Sequence, residues 1–200
     1  MTRHASPILA LAALAALVPS VAFAHTGVGN AAGFVHGFAH PVTGLDHVLA
    51  MVMVGVFAFQ LGGRALWLVP ATFVGVMALG GALGVAGIGV PFVEAGIALS
   101  VVVLGAVVAL RVQAPTALAM AVVGLFAIFH GHAHGSEMPE TAAGAAYGLG
   151  FLLATGTLHA AGIGLGFLLG WAAERKGALV VRAAGAAAAV AGVAILAGIA

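Results

Sequence analysis

The stretch His36-Gly37-Phe38-Ala39-His40-Pro41-Val42-Thr43-Gly44-Leu45-Asp46-His47 sets three imidazoles and a carboxylate inside a strongly apolar chain. On an unbroken helix His36, His40 and His47 fall within about 40° of one another. Pro41 and Gly44 are expected to break that helix, since proline has no amide donor and glycine accepts non-helical angles. A broken membrane helix frees backbone carbonyls and lets side chains from both halves converge, as in many transporter sites. Thr43-Gly44-Leu45-Asp46 also reads as a capping-box-like start for the second half, with Asp46 at the positive end of its dipole. A cap does not explain the flanking histidines, so the stretch is read as a ligand site, Asp46 either binding directly or orienting His47.

Composition sets the solvent. Of 200 residues, 64% are hydrophobic and 6% charged, against about 25% charged in a soluble domain. The mean hydropathy is +1.25. Six Lys/Arg and five Asp/Glu cannot coat a globule of this size. A soluble domain, a disordered chain and a basic nucleic-acid binder are thereby excluded, leaving an all-α membrane protein. The absence of Cys removes disulfides, thiolate zinc sites, iron–sulfur clusters and thiol nucleophiles. No nucleotide-binding loop is present, so this chain does not spend ATP. Nine histidines, beside eleven charged residues, are the main polar chemistry available.

Residues 1–24 read as a cleaved signal peptide: Arg3 and His4, an apolar run from Ile8 to Val18, Pro19-Ser20, then Ala22-Phe23-Ala24 with small residues at −3 and −1. Eleven apolar residues are too few to span a bilayer about 30 Å thick. Cleavage makes His25 the mature N-terminus, whose amine and imidazole together chelate one metal. Residues 25–200 then form a single transmembrane domain. Its expected spans are about 45–62, 65–87, 91–111, 114–131, 143–172 and 177–199, a bundle of about six helices. Arg64, Arg111, Arg175, Lys176 and Arg182 fall at one set of ends and His132 to Glu140 at the other. The positive-inside rule makes the first set cytoplasmic and places both mature termini in the periplasm of a bacterial inner membrane. Gly80/Gly84, Gly144/Gly148 and Gly162/Gly166/Gly170 have the spacing of close helix packing.

Two further segments carry imidazole. In Phe129-His130-Gly131-His132-Ala133-His134-Gly135-Ser136-Glu137, His130 and His134 share a helix face, whereas His132 points elsewhere. His130 and His134 are read as metal ligands, with His132 and Glu137 as secondary candidates. In Thr155-Gly156-Thr157-Leu158-His159, His159 lies near the middle of its span and Thr155 one turn away on the same face. A lone membrane histidine is often a packing residue; beside the other two clusters His159 is read as a ligand and Thr155 as a secondary candidate. Glu94, three residues after Pro91, reads as a helix-end charge. Met51 and Met53 read as packing.

Imidazole with a few carboxylates suits first-row divalent cations such as Ni, Zn, Cu and Co, without choosing among them. From residue chemistry the metal candidates are His25, His36, His40, Asp46, His47, His130, His134 and His159. The stretch His40-Pro41-Val42-Thr43-Gly44-Leu45-Asp46-His47-Val48-Leu49-Ala50-Met51 resembles the signature of the HupE/UreJ family of membrane proteins. The segments Phe129–Glu137 and Thr157–His159 resemble its second and third motifs, and the resemblance covers the mature chain. It implies permeation of nickel, or in some members cobalt, across the cytoplasmic membrane for hydrogenase or urease maturation. It also implies that the motif residues His36, His40, Asp46, His47, His130, His134 and His159 handle the metal.

The resulting expectation is secondary or passive Ni²⁺ transport, with Co²⁺ as the alternative and no permanent cofactor or enzyme chemistry. Its partners are the ion, the bilayer and, indirectly, the maturation machinery; self-association is left open. A haem-binding redox subunit is the competing class, because membrane His pairs also ligate haem. Against it, these histidines cluster at outer helix ends beside Asp46. A membrane sensor that binds without transporting is a further alternative, and a hydrolase is disfavoured by the absence of a Gly-x-Ser-x-Gly elbow.

Overall fold

The computed structural model describes residues 30–138, 144–172 and 176–199. Residues 1–24, His25, Glu140, Glu174 and Arg175 lie outside the described residues, and with them the signal peptide and the terminal chelate.

The described residues form seven α-helices and no strand: α1 (Asn30–Thr43), α2 (Leu45–Leu61), α3 (Ala65–Val85), α4 (Val93–Ala109), α5 (Thr116–Ser136), α6 (Gly144–Ala172) and α7 (Lys176–Leu196). An all-helical bundle is what a chain this apolar requires, since helices satisfy every backbone group internally. Four helices, α3, α5, α6 and α7, are long and apolar enough to cross a membrane. The α1–α2 pair adds a fifth span if counted as one, and α4, at 17 residues, is a shorter apolar helix. The six-span count is thus reached only by including α4 and the bent pair.

The break in the first span falls at one residue. α1 and α2 meet at 83°. Pro41 lies within α1, while Gly44 is the extended N-cap of α2 at φ −89°, ψ 120°. Pro41 is tolerated because it sits in the last turn, where it removes a single amide. The expected capping box does not form: Gly44 offers no side chain, and the Thr43 hydroxyl donates back to the His40 carbonyl.

α2 is the axis of the bundle and touches all six other helices. Its Ala50, Met51, Val54 and Ala58 are fully buried, in a core with Val69, Phe73, Leu104 and Val123. Met51 therefore packs, as read. The closest neighbours are α3 with α5, α4 with α7, and α1 and α2 with α6. Glycine makes these approaches possible. A Cβ on Gly80 would overlap the Ile128 carbonyl, and one on Gly131 the Met77 carbonyl. Gly55 on α2 similarly meets the His159 carbonyl, and Gly162 the Val52 carbonyl. Gly148 has open space around it, so the Gly144/Gly148 pair is not a packing seam there; Gly150, against Phe34, is.

The two ends of the bundle differ in chemistry. Arg64 follows the end of α2 and Arg111 the end of α4, while Arg182 donates to the Ala109 carbonyl. Gln60 bonds the Val108 carbonyl at this same end. The histidines gather toward the other.

Candidate metal centre

Five imidazoles from three helices meet at the α1–α2 break. α1 brings His36 and His40, α2 brings His47, and α5 brings His130 and His134, one turn apart. Their ring centroids form a continuous file: His36 to His40 6.1 Å, His40 to His134 4.6 Å, His134 to His47 4.2 Å, and His47 to His130 4.4 Å. Burial deepens along it. His36 is exposed, His40 half-buried, His134 and His47 buried, and His130 fully buried.

Hydrogen bonds fix which ring nitrogens carry protons. The Asp46 carboxylate accepts from the His47 backbone amide (2.7 Å) and stands 3.1 Å from His47 Nδ1. A carboxylate accepts only, so Nδ1 carries the proton and Nε2 keeps its lone pair. Ser100 Oγ donates to the Ile97 carbonyl (2.6 Å) and lies 2.8 Å from His130 Nε2. Its single proton is committed, so His130 Nε2–H is the donor and Nδ1 keeps the lone pair. That Nδ1 is buried with no partner among the described residues, as is His134 Nδ1. His134 Nε2 stands 2.5 Å from His47 Nε2. Buried polar atoms without partners are rare in native proteins and ask for an occupant. These have the donor set of a borderline divalent cation.

A cavity of about 190 Å³ opens onto this cluster, lined by His40, Asp46, His47, His134 and two further carboxylates, Glu94 and Glu137. At its mouth, ligand atoms of His40, His134 and Glu137 all lie within 4.8 Å of one another, a spacing that can close on one metal ion. His40 Nε2 is 3.6 Å from Glu137 Oε2. On its other side His134 borders a second, apolar cavity of about 220 Å³ with Tyr147 and Phe151.

Deeper in the bundle, Tyr147, Phe151, Thr155 and His159 recur every four residues as one buried stripe of α6. Tyr147 faces His36 (5.8 Å) and His40 (6.2 Å), and Phe151 faces His134 (4.3 Å). His159 is 1% exposed, and both its ring nitrogens lack a partner among the described residues. The Thr155 hydroxyl reaches Met77 Sδ at 3.8 Å. The Phe73 ring stands between these levels, 5.6 Å from His130 and 5.2 Å from His159.

The structure thus brings together His36, His40, Asp46, His47, His130, His134 and Glu137, and sets His159 and Thr155 apart, further along α6. His132 turns away, its Nε2 2.9 Å from the Ile88 carbonyl. Glu94, read as a helix-end charge, also lines the cavity mouth. Ser100 and Tyr147 were not singled out from sequence. A lone serine in an apolar helix and the chain's single tyrosine were the available signals.

The family model described as HupE / UreJ protein matches residues 12–195. The chain belongs to the HupE/UreJ family. This is a transport-type family of membrane proteins associated with nickel and cobalt. The chain is also similar to the protein HupE of Rhizobium leguminosarum bv. viciae, 52% identical over 188 residues, covering 94% of this chain and 95% of that one. No solved structure matches. As a HupE/UreJ member the chain is a multi-pass membrane protein, and the resemblance read from its first motif is confirmed.

Proposed function

We propose that this HupE/UreJ protein carries Ni²⁺ into the cell across the cytoplasmic membrane, by secondary or passive transport, to supply hydrogenase or urease maturation. The observation that carries the reading is the file of imidazoles from exposed His36 to fully buried His130, with the buried Nδ1 atoms of His130 and His134 left without a partner among the described residues. A hydrated cation enters the acidic mouth at Glu94 and Glu137, and imidazole nitrogens replace its water step by step. Asp46 supplies a negative charge that offsets the buried dication.

With the arginine end in the cytoplasm, the membrane potential pulls the ion inward, by about 4.6 kcal/mol per 100 mV for two charges. The histidine end and both mature termini are then periplasmic, where His25 adds a chelating terminus. His159, with Thr155 beside it, serves as a deeper ligand. His132 has no part in the cluster and is assigned to anchoring the loop that follows α3. Against a haem subunit, ring centroids 4.2–4.6 Å apart leave no slot for a macrocycle between the histidines.

Cells producing the protein should accumulate more ⁶³Ni than cells producing His47→Ala or Asp46→Ala at equal membrane level. Equal uptake by all three contradicts the proposal. Competition with unlabelled Co²⁺ decides which ion is preferred.

A further inference from the structure

Phe73 is fully buried, and its ring meets both His130 of the outer cluster and His159 of the inner stripe. These histidines come from different helices, α5 and α6, and Phe73 comes from a third, α3. His159 is 12 residues beyond Tyr147, about 18 Å further along α6. One turn before it on the same stripe, the Thr155 hydroxyl reaches the Met77 thioether of α3 at 3.8 Å. A buried imidazole with two unpartnered nitrogens is costly in a membrane interior and marks a place for a polar visitor. A phenyl ring offers that visitor no lone pair.

We propose that the Phe73 ring is the barrier between the outer imidazole cluster and an inner station at His159, and that its bulk sets the rate of passage from one to the other. The inference rests on the transport reading above. The backbone around Phe73 suits a side chain that must swing. Beyond it, Gly80 and Gly84 lock α3 onto α5 with no room for a Cβ. Before it, Pro70 inside the helix removes the amide that would bond the Leu66 carbonyl. The ring therefore sits where a weakened half-helix meets a fixed one. An ion leaving His130 displaces it and is received by His159.

The test uses the full chain in proteoliposomes enclosing a Ni²⁺-quenched dye, with ⁶³Ni equilibrium dialysis on the same protein in detergent. Phe73→Trp should keep equilibrium binding within about twofold while influx falls by roughly tenfold, and Phe73→Ala should keep binding while influx rises several-fold. Where either variant fails gel filtration, Phe73→Leu replaces it, with influx above wild type. Variants that fold, bind and conduct like wild type overturn the barrier. Variants that lose binding and influx together also overturn it, because Phe73 then supports the outer cluster. No influx through wild type, with binding intact, overturns the transport reading itself.

Discussion

The Ser100 hydroxyl lies 2.8 Å from Nε2 of His130, a bond between two fully buried side chains 30 residues apart. Because the serine proton is spent on the Ile97 carbonyl, the bond holds the imidazole in one tautomer and leaves its buried Nδ1 without a partner among the described residues. Ser100→Ala removes that constraint and leaves a buried N–H unsatisfied. Loss of such a partner behind a metal ligand lowers affinity by about 10- to 100-fold. Equilibrium dialysis of purified protein with ⁶³Ni checks this, and an unchanged Kd would separate Ser100 from the site.

Asp46 does for His47 what Ser100 does for His130, and adds a charge. Asp46→Asn keeps the shape but loses the charge and the obligatory acceptor. It should weaken Ni²⁺ binding by more than Ser100→Ala, while Asp46→Glu retains part of the affinity. Calorimetric titration of the three variants ranks them. An order in which Asn equals Asp would mean that the carboxylate only stabilises the start of α2.

Glu94 contributes a rim charge rather than an inward-facing ligand. Such charges raise the local concentration of cations and are screened by salt. Glu94→Gln should therefore raise the Ni²⁺ concentration for half-maximal uptake, leave the maximal rate near wild type and flatten the dependence on ionic strength. Initial uptake rates at two salt concentrations test it. A fall in maximal rate alone would place Glu94 in the translocation step.

The α3–α5 seam positions two of the five clustered histidines. Gly131→Ala forces a methyl into the Met77 carbonyl, whereas Gly75 on the same α3 has nothing within 4 Å. Overpacking costs typically about 1–3 kcal/mol, so Gly131→Ala should lower the melting temperature in detergent and weaken metal binding. Gly75→Ala should be neutral or stabilising, because alanine is the better helix former by about 1 kcal/mol. Equal melting of the two variants would show that the seam relaxes freely.

Local chemistry was the legible part. The break at Gly44, the pairing of Asp46 with His47 and the shared face of His130 and His134 all follow from residues near one another in the chain. The end of α5 was less legible, for a physical reason. The polar run after residue 131 read as the outer end of a span, yet the helix continues to Ser136. It does so because His134 turns inward to His47 and Gly135 docks on Gly81. Neither partner is near in sequence: His47 and His134 are 87 residues apart. The same holds for Ser100 with His130 and for Phe73 with His159. Spacing along a helix says which side chains share a face, but which faces meet is decided by packing. Glycine positions carried part of that information. Gly80, Gly84 and Gly162 mark true seams, while Gly148 shares their spacing and packs against nothing.

An ion held in the cavity that His40, His47 and His134 line with Asp46 and Glu137 is the core of the account. Crystals of the protein soaked in Ni²⁺ and measured at the nickel absorption edge test it directly. The expected result is an anomalous peak within coordination distance of at least two of these imidazoles, absent from Asp46→Ala crystals soaked in the same way. Anomalous density confined to other surfaces, with the three imidazoles unmoved, would contradict it.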